Sequence, residues 1–344
     1  MSTPRVSICL PNLNTLPYLA ERIETIEAQS FGDWELLVYD SNSTDGAWEY
    51  FCELAIKEPR MRIWQGPREG TPGSWTPCIR EARGEFVYIA TSDDTMAHDC
   101  LEKMVQALDE NPDCELAHCS IRIIDENGEL GLDWWSGNSL FAKSSGDLAG
   151  RRHKRIAPLD GILCLLGDNV YTSATQLLIR RSLFEKIGYY QKDWGAVGDF
   201  HWNLRAGLAA STVHVPETWG GWRIHQAQAT AGVELGSSGH RAKIDDMIED
   251  VLEHSGRYVD AGYRGANFDR LETRARELRS YLREHARQAT AVDRRIFVIR
   301  QALSGNRLAW QHLVSMLPGR TRWPRGAPEA VRSWFEDEML ILLP

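Results

Sequence analysis

The chain has 344 residues, of which 43% are hydrophobic and 25% are charged, a balance typical of globular proteins rather than disordered or fibrous ones. Its 39 Lys and Arg against 48 Asp and Glu give a net charge of -9, which argues against nucleic acid as a partner. No apolar run reaches the roughly 20 residues of a membrane-spanning helix, and the short polar start lacks the features of a signal peptide. We therefore expect a cytoplasmic protein, with peripheral membrane association left open.

Apolar runs and helical periodicity alternate along the first 126 residues. The pattern predicts strands at 6–10, 35–39, 61–64 and 86–90, with helical segments between them. Strands that alternate with helices pair in parallel and carry helices on both faces of the sheet. The first part of the chain is thus predicted to have an α/β fold.

Polar side chains follow three of these strands. Asn12 and Asn14 follow the first, Asp40 ends the second, and the cluster 91–94 follows the fourth. In parallel α/β sheets, ligands bind at the carboxyl ends of the strands. This edge of the sheet is the predicted site.

The cluster at 91–94 ends in the adjacent carboxylates Asp93 and Asp94. Neighbouring carboxylates raise each other's pKa unless a cation lies between them. Mg²⁺ and Mn²⁺ take oxygen ligands, commonly one or two protein carboxylates together with substrate phosphates. The pair therefore fits a metal–diphosphate site, and the alternative is a solvated loop that caps the next helix.

The middle of the chain is less regular. Residues 127–170 are rich in Gly, Ser and Asp, which predicts a long excursion over the site or a mobile loop. Trp134 and Trp135 could stack on a sugar or seal this stretch onto the core. The basic run 151–155 could meet an anionic acceptor such as a lipid-linked pyrophosphate, or could be solvated charge. A strand at 176–180 and a helix from Asp199 follow.

From about residue 236 the pattern becomes helical. One apolar face is formed by Ile244, Met247, Ile248, Val251 and Leu252, a second by Leu271, Ala275, Leu278 and Leu282, and a last amphipathic piece by Val331, Trp334, Phe335 and Met339. We predict a catalytic domain at 1–235, with halves at 1–126 and 127–235, and a helical C-terminal region at 236–344. That region could pack on the domain, form a homodimer or lie at a membrane surface.

Three segments carry a resemblance to a known family: VSICLPNLN at 6–14, QSFGDWELLVYDSNSTDG at 29–46 and ARGEFVYIATSDD at 82–94. Together they resemble the family 2 glycosyltransferases, over about 5–126 and again over 171–230. The resemblance implies the GT-A fold, a Rossmann-like, mostly parallel mixed sheet flanked by helices. It also implies inverting transfer of a sugar from a nucleoside-diphosphate sugar, with UDP the expected nucleotide, to a saccharide or lipid-linked acceptor in polysaccharide or glycoconjugate synthesis.

The resemblance also assigns residues to the donor. It implies that the nucleotide sugar contacts Pro11, Asn12, Asn14, Asp40, Thr91, Ser92 and Asp93. Asp93 would be the main ligand of Mg²⁺ or Mn²⁺, supported by Asp94 and His225. The chain departs from the family pattern at Thr91, where an Asp usually stands.

Two later segments resemble the acceptor side of the same family. In the segment 194–205 the acidic residue at the helix start, Asp199, would be the catalytic base, although the same residue could simply cap the helix. Gly198 stands where the family usually has an acidic residue, and Thr76 where an Asn is common. In the segment WRIH at 222–225, His225 is a metal ligand or a structural residue, and Arg223 meets phosphate or is a surface charge.

Two other functions fit parts of the pattern. A nucleotidyltransferase also binds nucleotides on such a sheet, but a Gly-rich, basic loop is missing after the first strand. A catalytically silent sugar-nucleotide-binding or scaffold protein would explain the departures at Thr91, Thr76 and Gly198. Binding of a sugar nucleotide without any transfer would distinguish it from an enzyme.

Overall fold

The structure is a computed structural model that describes residues 3–259 apart from 126–127, 129, 134, 136–139, 166–168 and 232–236, together with 273, 276 and 340–343. The strands of the first half are β1 (Val6–Asn12), β2 (Trp34–Asp40), β3 (Met61–Gln65), β4 (Phe86–Ile89), β5 (Thr95–Met96) and β6 (Leu116–Ile124). The helices between them are α1 (Leu16–Glu27), α2 (Ala47–Lys57), α3 (Trp75–Glu81) and α4 (Cys100–Glu110). The predicted alternation of strands and helices is confirmed.

The second half adds shorter elements to this unit. They are β7 (Leu130–Asp133), α5 (Leu140–Ser145), β8 (His153–Arg155), α6 (Leu159–Leu165), β9 (Leu177–Arg180), α7 (Ser182–Ile187), α8 (Asp199–Ala209), β10 (Thr212–Arg223), α9 (Ser238–Glu253) and β11 (Leu340–Leu342). A short 3-10 helix at Lys192–Val197 leads into α8.

The described strands form one mixed sheet, whose main order is β11-β8-β10-β6-β9-β4-β1-β2-β3. β4, β1, β2 and β3 are parallel neighbours, whereas β9 lies antiparallel between β4 and β6. β10 runs parallel to β6, and β8 and β11 extend the sheet beyond β10 in antiparallel pairing. This mixed sheet agrees with the predicted fold class.

Successive residues of the buried strands pack on opposite faces of the sheet. Ile8 and Leu10 of β1 lie in the layer covered by α1, α2 and α4, whereas Cys9 lies in the layer covered by α3, α6 and α8. A strand covered on both faces reads as a continuous apolar run, because each face needs its own apolar residues. Both sheet faces are therefore covered, as predicted.

The prediction of an excursion or mobile loop over 127–170 is wrong for the described part of that stretch. β8 pairs with β10, and all seven residues of α6 are buried. Trp135 is buried in the core and donates a hydrogen bond from Nε1 to the Val170 carbonyl at 2.8 Å. It therefore seals this stretch onto the sheet, while Trp134 lies outside the described residues.

The basic run 151–155 ends in β8, and three of its residues pair with acids of the protein. Arg152 lies 3.2 Å from Glu110, Lys154 lies 2.8 Å from Asp113, and Arg155 is buried 2.6 Å from Asp160. The three paired residues are thus not a free basic patch for an anionic acceptor, whereas Arg151 is exposed and fits the solvated alternative.

The C-terminal region is helical in α9, whose predicted apolar face packs on the core. The prediction of an entirely helical tail is wrong at β11, where Leu340–Leu342 pairs with β8 as an edge strand. The predicted faces at 271–282 and 331–339 lie outside the described residues, apart from the isolated positions 273 and 276. No helix in the described residues is long and apolar enough to cross a membrane.

Candidate active site

A hydrogen-bond network around Asp40 joins the ends of β1 and β2. The parallel register pairs Asn12 with Asp40, and Asn12 Nδ2 donates to Asp40 Oδ1 at 2.8 Å. The backbone N–H of Ser43 and the amide of Gln65 donate to Oδ2 at 2.9 and 3.0 Å. Burial raises the pKa of Asp40, but the hydrogen bonds from Ser43, Gln65 and Asn12 outweigh it and hold that pKa below its usual value. The ionised carboxylate thus stabilises the loop that follows β2.

The loop after β1 is held by Asn14. This residue has the left-handed φ of 53°, and its Oδ1 accepts a hydrogen bond from the Thr44 backbone at 2.8 Å. Its own N–H donates to Ser43 Oγ at 2.9 Å, while Pro11 lies opposite Tyr39 in the sheet. The structure brings the predicted donor-binding residues of β1 and β2 together, and their contact with a nucleotide stays a prediction.

The acidic pair follows β4, and its buried member is Asp94. The Thr91 hydroxyl donates to Asp94 Oδ2, and the Arg223 backbone N–H donates to Oδ1 at 2.8 Å. Burial, followed by the charge of Asp93, raises the pKa of Asp94 to about 7. Ser92 is also buried. Because both of its oxygens accept internal hydrogen bonds, Asp94 holds the loop in place, and its supporting role at a metal stays a prediction.

Asp93 faces His225, a residue 132 positions away in the sequence. Asp93 Oδ2 lies 3.0 Å from His225 Nε2, and 22% of the Asp93 side chain is exposed. The His225 ring packs against the ring of Tyr18, with centroids 4.6 Å apart. Two of the three predicted metal ligands thus lie side by side at the edge of the sheet.

The geometry of this pair fits a divalent cation. Asp93 Oδ2 and His225 Nε2 lie at hydrogen-bond distance, and their separation of 3.0 Å is also about that of two adjacent ligands of an octahedral ion with bonds of about 2.1 Å. In the described part of the chain, no group of three or more His, Cys, Asp or Glu side chains is arranged to hold a metal.

Asp199 begins α8 and is half-buried. Its Oδ1 accepts a hydrogen bond from the Phe200 backbone at 2.9 Å. Burial raises the pKa of Asp199 to about 6, although this backbone hydrogen bond and its own N–H partly offset the increase. The Asp199 charge in turn raises the pKa of buried Tyr190 beyond what burial alone does. Gly198 rather than Asp199 is the N-cap of α8, and no side chain caps the N-terminus of this helix. The raised pKa suits the predicted role of Asp199 as a base, which stays a prediction.

The departures at Gly198 and Thr76 have structural reasons. A Cβ at position 198 would lie 2.9 Å from Trp194 Cβ and 3.1 Å from Pro72 Cδ, so an acidic side chain does not fit there. Thr76 Oγ1 donates to the Tyr190 carbonyl at 2.9 Å and thereby ties α3 to the segment before Asp199.

The sequence did not indicate the α1 residues that contact this site. Tyr18 packs on His225, and Glu21 Oε2 accepts a hydrogen bond from Arg223 Nη2 at 2.6 Å. Arg223 is buried, so neither the surface-charge nor the phosphate alternative describes it. Helical periodicity places Tyr18 and Glu21 one turn apart on α1 but does not say which strand end they meet.

Comparison with known proteins identifies the family of the chain. The family described as Glycosyl transferase family 2 matches residues 7–188, just over half of the chain. A GalNAc(5)-diNAcBac-PP-undecaprenol beta-1,3-glucosyltransferase of Campylobacter jejuni is 27% identical over 139 residues, which are 40% of this chain and 44% of that protein. The glycosyltransferase EpsE of Bacillus subtilis is 30% identical over 132 residues, 38% of this chain and 48% of that protein. The matches thus span less than half the length of these relatives.

Two solved structures share the fold at low sequence identity. TarS 1-349 of S. aureus, in complex with UDP-GlcNAc, has a TM-score of 0.59 at 16% identity, covering 97% of this chain and 89% of that one. The mannosyltransferase PcManGT of Pyrobaculum calidifontis, in complex with GDP-Man and Mn²⁺, has a TM-score of 0.52 at 18% identity, covering 98% and 89%. With a GT-A sheet and a family match over more than half its length, the chain belongs to glycosyl transferase family 2.

Proposed function

We propose that this chain transfers a sugar from a nucleoside-diphosphate sugar to an acceptor hydroxyl, with inversion at the anomeric carbon and assistance from Mg²⁺ or Mn²⁺. The observation that carries the proposal is the pairing of Asp93 with His225 at the strand ends, at the spacing of two ligands of one cation. The neighbours with bound UDP-GlcNAc and GDP-Man support a nucleotide-sugar donor, and we take UDP as the nucleotide. The undecaprenol named for the C. jejuni relative supports a lipid-linked or saccharide acceptor.

Asp199 supplies the base in this reaction. The acceptor oxygen bonds to the anomeric carbon, the bond from that carbon to the diphosphate oxygen breaks, and the hydroxyl proton passes to the Asp199 carboxylate. With a pKa of about 6, this carboxylate is mostly ionised at pH 7 and still has useful affinity for a proton. A bound divalent cation would stabilise the negative charge on the departing nucleoside diphosphate. A single displacement of this kind inverts the anomeric centre.

The test of the base is Asp199→Asn. We expect transfer to fall about 10²- to 10⁴-fold while the affinity for the donor stays within a few-fold of wild type, because the amide keeps the shape but does not accept the proton. Asp193→Asn, at an exposed position of the 3-10 helix before α8, is the matched control and should leave turnover unchanged. Wild-type turnover in Asp199→Asn would show that another group is the base.

The test of the donor is a thermal-shift screen of UDP- and GDP-sugars with and without Mn²⁺. A donor at 100 times its dissociation constant adds about 2.7 kcal/mol to the free energy of unfolding, a shift that is readily measured. We expect the shift to need Mn²⁺ and to be lost in Asp93→Asn. Absence of any shift across the screen would contradict the proposed function, and binding without transfer to any acceptor would favour a silent binding protein.

A further inference from the structure

Arg223 is the last residue of β10, and all three nitrogens of its guanidinium donate hydrogen bonds within the protein. Its Nε donates to the Asp93 carbonyl at 2.7 Å, Nη1 to the Asp125 carbonyl at 2.7 Å, and Nη2 to Glu21 Oε2 at 2.6 Å. Only 1% of its side chain is exposed. The guanidinium therefore cannot reach a substrate phosphate without breaking these bonds, and its role must lie in what it holds.

The groups that Arg223 holds come from separate parts of the fold. Asp93 follows β4, Asp125 follows β6, and Glu21 belongs to α1, while the Arg223 backbone N–H holds the Asp94 carboxylate at 2.8 Å. The guanidinium lies over the Tyr18 ring at 5.1 Å from its centroid. The same ring packs on His225, two residues further along the chain. One side chain thus fixes the backbone of Asp93 and, through Tyr18, the surface on which His225 lies.

We propose that Arg223 is a positioning residue that holds Asp93 and His225 as a preformed pair of cation ligands. This inference rests on the proposed function, because it assigns a role toward the cation of that site. A site whose ligands are already in place avoids the entropy cost of ordering them when the metal binds. Residues that support metal ligands typically contribute 10- to 100-fold in metal affinity.

The chain contains a matched control for this role. Arg180 of β9 binds the Cys114 carbonyl at 3.0 Å, the Leu108 carbonyl at 2.8 Å and Glu85 at 2.7 Å, and lies over the Phe86 ring at 5.1 Å. Each arginine thus binds two carbonyls, one glutamate and one aromatic face. Arg180 contacts neither Asp93 nor His225 in these bonds, so its loss reports the cost of removing such a network away from the site, although its side chain is 18% exposed against 1% for Arg223.

The experiment measures Mn²⁺ binding by Arg223→Gln and Arg180→Gln from the electron paramagnetic resonance signal of free Mn²⁺, with no donor present. We expect both variants to lose thermal stability, but only Arg223→Gln to weaken Mn²⁺ binding, by about tenfold or more. Raising the Mn²⁺ concentration should then restore the transfer activity of Arg223→Gln. Equal Mn²⁺ affinity in the two variants would overturn the positioning role.

A second pair of variants keeps the test valid if Arg223→Gln does not fold. Glu21→Gln removes the charge that orients Arg223, and Glu85→Gln removes the corresponding charge at Arg180, together with the Glu85 ion pair to Arg5. Weaker Mn²⁺ binding in Glu21→Gln than in Glu85→Gln supports the proposal, and equal binding overturns it. If the wild-type protein binds no Mn²⁺, with or without a nucleotide sugar, the metal-assisted function fails and this inference fails with it.

Discussion

Three histidines are buried together near the start of β6 and β10, at the opposite end of these strands from Asp125 and Arg223. His118 Nδ1 lies 3.0 Å from His214 Nδ1, and Arg155 Nη1 donates to His153 Nε2 at 2.9 Å. Burial, together with the charge of Arg155, lowers the pKa of all three, to about 3 for His153. These rings are therefore neutral in the folded protein well below neutral pH, whereas in the unfolded chain they take up protons near pH 6.5.

This difference makes folding sensitive to acid. Below about pH 6.5 the unfolded chain binds more protons at these histidines than the folded protein does, so stability falls as the pH falls. In that range, each histidine that stays neutral in the folded protein lowers the free energy of unfolding by about 1.4 kcal/mol for each unit by which the pH falls. The raised pKa values of Asp94 and Asp199 act in the opposite direction, because these carboxylates bind protons in the folded state first. The contribution of one histidine is therefore best isolated by a variant.

We expect His153→Gln to reduce the pH dependence of stability by about 1.4 kcal/mol per pH unit between pH 6 and pH 4. Glutamine can still donate to the Arg151 carbonyl and accept from Arg155, which the ring does at 2.8 and 2.9 Å, but it does not titrate. Urea unfolding at several pH values gives the slope, and His98→Gln at an exposed position is the control. If His153→Gln and wild type have the same slope, the ring is protonated in the folded protein and the reasoning is wrong.

Two further predictions concern packing. Arg22 is buried on α1, and within the described residues its guanidinium nitrogens have no hydrogen-bond partner, so Arg22→Met should leave the free energy of unfolding unchanged or raise it by about 1–4 kcal/mol. A clear loss of stability in urea unfolding would contradict this expectation and would show that the Arg22 charge stabilises its surroundings, among them Asp94, whose pKa it lowers. Gly207→Ala should lower stability by about 1–3 kcal/mol, because its Cβ would lie 2.5 Å from the Gly161 nitrogen, whereas Gly32→Ala meets nothing within 4 Å. Equal thermal unfolding of the two alanine variants would contradict this packing argument.

The donor side of the site could be predicted because its residues follow strands directly. Apolar runs located β1 and β2, and the parallel register that follows from them places Asn12 opposite Asp40. Thr91 and the two acids after it follow β4 in the same way. Where a residue's position depends only on one strand and its neighbour in the sheet, the local sequence pattern and the geometry of the sheet are sufficient to predict that position.

Contacts between distant segments could not be predicted in this way. Glu21 and Arg223 are 202 positions apart, and no periodicity relates α1 to the end of β10. The ion pairs of the basic run 151–155 could not be predicted, because acidic partners such as Asp113 and Glu217 lie elsewhere in the chain. Leu340–Leu342 pairs with β8 only because that strand leaves an open edge, which a local pattern does not reveal.

The two adjacent acids show most directly why composition alone could not assign their roles. By composition alone, Asp93 and Asp94 are equivalent carboxylates, and the negative charge of each raises the pKa of the other. In the fold, Asp94 is buried with both oxygens hydrogen-bonded and a pKa raised to about 7, so it can carry a proton at little cost near neutral pH. Asp93 keeps a partly exposed side chain next to His225. Asp94 thus anchors the backbone of Arg223, whereas Asp93 remains available to a ligand. This difference arises from the contacts of the two aspartates with β10 and the segment after it, not from the aspartates themselves.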